Sequence, residues 1–256
     1  MKKKALTIDQ GKSLLDIDIN HLPDIFELYF DTTWQGRGNF LIFFFRLITK
    51  FASKSRYEHM GTARRCPKEF DGKLYADNLK NRIVNAGEIY FFEATAHSGV
   101  IMTPLIERLA NPSHGDTKWT GNIDIQTLKV KPTEQNLQKG WNDSIAQLGQ
   151  PYALVPAMFS AVDKMWIIRY IKKIFNFKYK SKLTKGVFCS MFSKITTLIT
   201  LDVEFNKDSM RDDTPEEVLI FLIENNFGNI AQPLVKYERG NLIIVNTDIM
   251  ALPKKY

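Results

Sequence analysis

Cys189 stands in Gly186-Val187-Phe188-Cys189-Ser190-Met191-Phe192, where a basic, turn-like stretch gives way to a run that reads as a buried helix. A thiol on the first turn of a helix feels the positive end of the macrodipole, which lowers its pKa and favours the thiolate. The partner such a thiol needs lies far upstream: His59, in Tyr57-Glu58-His59-Met60-Gly61. A cysteine and a distant histidine in a chain with few cysteines make a candidate pair for nucleophilic catalysis. The competing reading is that Cys189 is a small buried hydrophobe, the commonest fate of a free cysteine.

The other groups rank behind this pair. Cys66 precedes a proline among Arg64, Arg65 and Lys68, an electropositive setting but not a helix start. His97, beside Ser98-Gly99, is the rival base, although the sequence around it reads as a turn. His21 and His114 lie in loop-like stretches and read as surface residues, and Asp24 opens a strand without a chemical mark. Glu93 follows three large apolar residues and, on its own, reads as an exposed strand residue that pairs with a lysine. Nothing near either cysteine has zinc-ligand spacing, so the expectation is no metal and no cofactor.

The elements that must position these groups follow from periodicity. Ile25 to Phe30 and Glu58 to Ala63 read as strands around a helix at 40–52 that Asn39 could cap. Glu88 to Thr95, Gly99 to Thr103 and Ile123 to Lys131 read as further strands, and a short helix opens at Thr103-Pro104. Thr133 begins a helix that Gly149 is placed to end. An apolar, then basic, helical region spans 153–180, the Cys189 helix runs to Leu201, Asp213-Thr214-Pro215 starts another helix, and Leu242 to Thr247 is a late strand. Strands with helices before and after them give an α+β class.

The chain of 256 residues can bury a real core, with 44% hydrophobic and 25% charged residues. Residues 1–22 read as a polar lead-in and 23–256 as one domain with a basic helical insertion near 160–185. The N-terminus has lysines but no apolar stretch behind them, and the apolar run from Phe40 to Phe45 is too short to span a bilayer, so a cytoplasmic location is expected. Net charge is +7. Lys172, Lys173 and Lys178 belong to a stretch from Lys164 to Lys185 without a single acid, which suits an anionic surface or a solvated helix face.

Taken in order, the strand from Asp24, the Tyr57-x-His59-x-Gly61 setting, Glu93-Ala94, the helix ending Leu148-Gly149-Gln150-Pro151-Tyr152 and Cys189-Ser190 form a series. This series resembles the circularly permuted branch of the NlpC/P60 papain-like hydrolases, in particular the YiiX/YebB-like cysteine hydrolases. Poxvirus and bacteriophage members and the lecithin retinol acyltransferase-like enzymes belong to the same group. The similarity covers roughly residues 24–220. It implies an antiparallel sheet packed against helices, with Cys189 as nucleophile, His59 as base and Glu93 as orienting acid. Tyr57 and Ser190 would be contacts for the substrate or the oxyanion, Tyr57 on the same strand face as His59. Two features depart from the family pattern: Met191 stands where many members carry an acid, and the basic segment before the cysteine is long.

The resemblance therefore implies a cysteine hydrolase or acyltransferase that cleaves an amide, isopeptide or ester bond through a thioester, a phage or viral setting included. Its substrate would be a peptide, a peptide conjugate or a lipid ester. The alternative is a non-catalytic or structural protein that uses segment 164–185, with aromatic residues interleaved among its lysines, to contact an anionic membrane; nucleic acid ranks behind.

Overall fold

The computed structural model describes residues 22–31, 56–57, 59–95, 98–110, 122–152, 189–205, 213–238 and 241–244. Nine strands lie among them: β1 (Ile25–Asp31), β2 (His59–Arg65), β3 (Leu74–Ala76), β4 (Asn81–Ile83), β5 (Ile89–Thr95), β6 (Gly99–Pro104), β7 (Asn122–Thr127), β8 (Gln232–Glu238) and β9 (Asn241–Ile244). Four α-helices accompany them: α1 (Leu105–Ala110), α2 (Glu134–Ala146), α3 (Cys189–Thr200) and α4 (Pro215–Glu224). Seven strands form one sheet in the order β6-β5-β2-β1-β7-β8-β9, and β3 and β4 make a separate ribbon. Every pairing in the large sheet is antiparallel. The class is mixed α+β.

The central strands β1, β2 and β5 are buried nearly end to end. A strand with a side chain of each parity buried must be covered on both faces. One face carries Phe26, Leu28, Phe30, Ala63, Ile89 and Phe91, and Leu105 and Leu109 of α1 pack into that cluster. The other carries Tyr90, Phe92 and Ala94, which meet Trp141 of α2 and Phe192 of α3. The strand periodicity of two thus sorts the residues between a small helix on one side and the Cys189 helix on the other.

Helix starts follow their caps. Thr133 accepts from the Asn136 amide at the head of α2, and Thr214 and Glu217 form a reciprocal capping box at the head of α4, with Pro215 at the first helical position. Gly149, at φ +76°, turns the chain away after α2, as read from the sequence.

Several boundaries differ from the sequence reading. Pro104 closes β6 by pairing with Tyr90 and does not sit inside α1. β7 stops at Thr127 because Leu128 leaves the ladder for an isolated bridge to Gly228. The β3–β4 ribbon and β8 have no counterpart in the sequence reading. β3 and β4 are three-residue strands with exposed Leu74 and Ile83, and Pro233 sits within β8. Short strands and strands with proline carry a weak periodic signal. The expected helices at 40–52 and 153–180, and the lead-in through His21, lie outside the described residues.

Candidate active site

β2 opens at His59, and α3 opens at Cys189. The alternation of β2 puts His59 on the face shared by Gly61 and Ala63, and β5 carries Glu93 two residues beyond Phe91 on that same face. A side chain at Gly61 has no room: a Cβ there would lie 2.3 Å from the Phe91 ring. The glycine of the Tyr-x-His-x-Gly setting thus makes room for the Phe91 ring against β2.

The His59 ring is the centre of the cluster. Its Nε2 lies 2.8 Å from Oε2 of Glu93, with both side chains buried. That contact leaves Nδ1 for the second partner, and the ring hydrogen-bonds the Cys189 thiol. Burial alone would push the imidazole pKa down, but the Cys189 sulfur and the Glu93 carboxylate outweigh it and hold it up at about 9. Burial would likewise raise the Cys189 thiol, yet the His59 charge and hydrogen bond, with the Met60 and Ser190 backbone amides, bring it below the usual thiol value. Both shifts favour a thiolate–imidazolium pair.

Glu93 is fully buried, and burial would protonate it. Arg108 prevents this. Its Nε donates to Oε1 at 2.6 Å and its Nη2 to Oε2 at 3.1 Å, so that with the His59 bond the carboxyl falls to about 2. Phe30 closes the site, 5.5 Å from the His59 ring and 5.0 Å from the Arg108 guanidinium.

Tyr152 also reaches the sulfur. Its phenol hydrogen-bonds Cys189, and burial together with the sulfur's charge keeps the phenol far above its ordinary pKa, hence protonated. The chain is led there by a short backbone exchange in which Val100 N–H donates to Gln150 O and Gly149 N–H to Val100 O, both at 2.9 Å. Asn78 Nδ2 ties the same turn down by donating to Ser98 O and Gly149 O.

The residues singled out in the sequence therefore divide. Cys189, His59 and Glu93 come together. Ser190 stays beside the sulfur through its backbone amide, but its hydroxyl donates to Asp213 O at 2.5 Å and is spent on the loop before α4. Tyr57 does not share a strand face with His59. It precedes β2, escapes the pleat, and packs its ring 5.1 Å from Tyr29 while its phenol donates to Asp124 Oδ2 at 2.6 Å. Cys66 is buried with its pKa pushed up to about 12 by burial and by Asp71, Glu69 and Glu88, which leaves it inert. Asp24 accepts from Arg65 Nε at 2.9 Å, a bond between strand ends. His97, His21, His114, Lys172, Lys173 and Lys178 lie outside the described residues.

Arg108 and Tyr152 were not read from the sequence as site residues. Leu105-Ile106-Glu107-Arg108-Leu109 looks like any surface helical turn, and only contact with β5 gives the arginine a role. Tyr152 stood within the Gly149-Gln150-Pro151-Tyr152 segment, but nothing there specified a hydrogen bond to sulfur.

Among the described residues, no group of three or more His, Cys, Asp or Glu is arranged to hold a metal ion. No helix among them is long and apolar enough to cross a membrane. No family model matches the chain, and no curated protein matches it in sequence. Among solved structures it is similar to the crystal structure of metalloprotein yiiX from Escherichia coli O157:H7, at 17% identity, over 90% of this chain and 93% of that chain, with a TM-score of 0.35. A likeness of that size carries no argument about the chemistry of the site.

Proposed function

We propose that the protein is a cysteine hydrolase or acyltransferase that opens an amide, isopeptide or ester bond through a thioester on Cys189. One observation carries this reading: the buried His59 ring bridges the Glu93 carboxylate and the Cys189 thiol, with the imidazole held at about 9 and the thiol held low. The chain order His59, Glu93, Cys189, and a cysteine-headed helix on an antiparallel sheet, support the permuted papain-like assignment.

The thiolate of Cys189 attacks the carbonyl carbon, forming the S–C bond and moving charge onto the carbonyl oxygen. Among the described residues, the Cys189 backbone N–H at the head of α3 and the protonated Tyr152 phenol are donors placed for that oxyanion. His59 then gives its Nδ1 proton to the departing nitrogen or oxygen, and the C–N or C–O bond breaks. Neutral His59 next takes a proton from water, or from an acceptor nucleophile, which attacks the thioester and restores the ion pair. Glu93 stays ionised throughout and holds the ring by Nε2.

Two measurements test the reading. Iodoacetamide should label Cys189 rapidly at neutral pH and Cys66 slowly, and His59→Ala should abolish the difference. A chromogenic acyl ester should leave an acyl mass on Cys189 that is absent in Cys189→Ala. Equal, slow labelling of both cysteines together with no acyl adduct would reject the proposal.

A further inference from the structure

We propose that Arg108 is a positioning residue for this reaction, fixing Glu93 as a carboxylate aimed at His59 and so setting the charge on Cys189. The inference rests on the hydrolase reading above and adds a residue that acts three groups away from the attacked carbon.

The placement is built by the fold. β6 ends at Pro104, and α1 turns back over the face that carries Ile89, Phe91 and Glu93. Leu105 and Leu109 anchor α1 in the apolar cluster, and Arg108, three residues after Leu105, falls on the same buried side. Its side chain is 1% exposed. The guanidinium meets both carboxylate oxygens, a two-point contact that only its planar fork can make. Phe30 and Phe91 lie 5.0 and 5.9 Å from the guanidinium carbon and screen the contact from water.

The charged groups facing one another are Arg108 from α1, Glu93 from β5, His59 from β2 and Cys189 from α3, with the protonated Tyr152 phenol also on the sulfur. With the ion pair formed, their charges alternate in sign and sum to zero. Glu93 Oε2 is the shared acceptor, 3.1 Å from Arg108 Nη2 and 2.8 Å from His59 Nε2. Without Arg108 the buried carboxyl keeps one partner, and a carboxylate so placed takes up a proton. A neutral carboxyl no longer favours imidazolium, and the sulfur loses its countercharge. The arginine is also separable from the docking of α1. Neighbouring Glu107 fastens the helix from outside, accepting from Arg82 Nη1 at 2.8 Å and from Lys80 Nζ at 3.1 Å.

The test is the pH dependence of iodoacetamide labelling at Cys189, read by mass spectrometry on the full chain, alongside melting temperature. Arg108→Met should move the labelling midpoint up by about one pH unit, roughly tenfold less thiolate on the acid side of the midpoint. Arg108→Lys, which keeps charge but loses the fork, should move it part of the way, and it decides the matter should the methionine variant fail to fold. Glu93→Gln should raise the midpoint by itself, and adding Arg108→Met to it should raise it no further, since the arginine then has no carboxylate to hold ionised. A folded Arg108 variant with the unaltered protein's labelling curve would overturn the proposal while leaving the hydrolase reading intact. Slow labelling in the unaltered protein would overturn both.

Discussion

Nε2 of His59 lies 2.8 Å from Oε2 of Glu93, and this one contact decides which ring nitrogen faces Cys189. It also sets the pH window of the site. His59 is raised to about 9, so the stabilisation it contributes is whole below its unfolded value of about 6.5 and is lost as pH rises through about 9. Glu93 is depressed to about 2, so its contribution is whole above the unfolded value of about 4.3 and is lost as pH falls toward about 2. Labelling of Cys189 should therefore be nearly flat through the neutral range and change only as His59 titrates near 9. Slow labelling throughout the neutral range, rising only as an ordinary thiol ionises, would contradict the ion pair.

Tyr152 offers a sharper probe of the sulfur. Replacing it with Phe removes one hydrogen bond to a charged acceptor and little volume. Such bonds contribute about 1.5–3 kcal/mol, so turnover should fall by roughly ten- to a hundredfold. Circular dichroism should be unchanged. Full turnover in Tyr152→Phe would remove the phenol from the mechanism. Tyr57→Phe is the matched comparison. That phenol is engaged with the Asp124 carboxylate, so its loss should lower stability by about 1.5–3 kcal/mol without touching turnover.

A second buried carboxyl lies under the Cys189 helix. Glu27 of β1 accepts from Thr62 Oγ1 at 2.9 Å and from Thr197 Oγ1 of α3. Burial raises its pKa to about 7, against the pull of the two hydroxyls and of the buried Arg64 guanidinium. Arg64 itself feels Asp143 as well as Glu27, and its Nη1 donates to Thr200 Oγ1 at 2.6 Å. The sign is opposite to that of Glu93. With the folded pKa raised, the folded state holds the proton more tightly than the unfolded state, so stability is highest below about 4.3 and falls as pH rises through about 7. Glu27→Gln keeps an oxygen for the two hydroxyls and has no proton to lose, so its melting temperature should decline less over that range than the unaltered protein's. Parallel curves for the two would refute the account.

The sequence announced the parts of this site that carry a signature in their own segment. Cys189 heads a helix because an apolar run follows a basic, glycine-containing stretch, and β5 is legible because Ile89 to Phe92 is apolar throughout. Gly61 was legible as part of a motif, but its reason, the Phe91 ring 2.3 Å from any added Cβ, required the register of β2 on β5. Arg108 and Tyr152 were invisible as site residues because neither carries a local signature: Arg108 acquires its role from β5, one strand back, and Tyr152 from the head of α3. Tyr57 was misplaced for a related reason. Counting by twos assumes the strand has begun, and β2 begins only at His59. The α+β class survived these errors because it depends on which elements exist, and not on where each one ends.

Gly99 is where the path of Tyr152 can be disturbed without touching the ion pair. It sits at φ +69°, a conformation that costs alanine about 1–2 kcal/mol, and an added Cβ would fall 2.0 Å from the Gln150 carbonyl oxygen. That oxygen is the acceptor for Val100 N–H, so Gly99→Ala must push the Gln150-Pro151-Tyr152 segment off β6. Strain and overpacking together should lower stability by on the order of 3 kcal/mol, within what a domain of this size tolerates. The added Cβ meets Gln150 and Pro151 and none of the bonds among His59, Glu93 and Arg108, so Cys189 should still label quickly in the variant while turnover falls with the displaced phenol. Asn78→Ala, which removes the side chain bridging Ser98 O and Gly149 O, should act in the same direction and more weakly. If both variants keep full turnover, the 149–152 segment does not position Tyr152 for the reaction. If both lose the fast labelling as well, Tyr152 helps hold the thiolate before any substrate arrives.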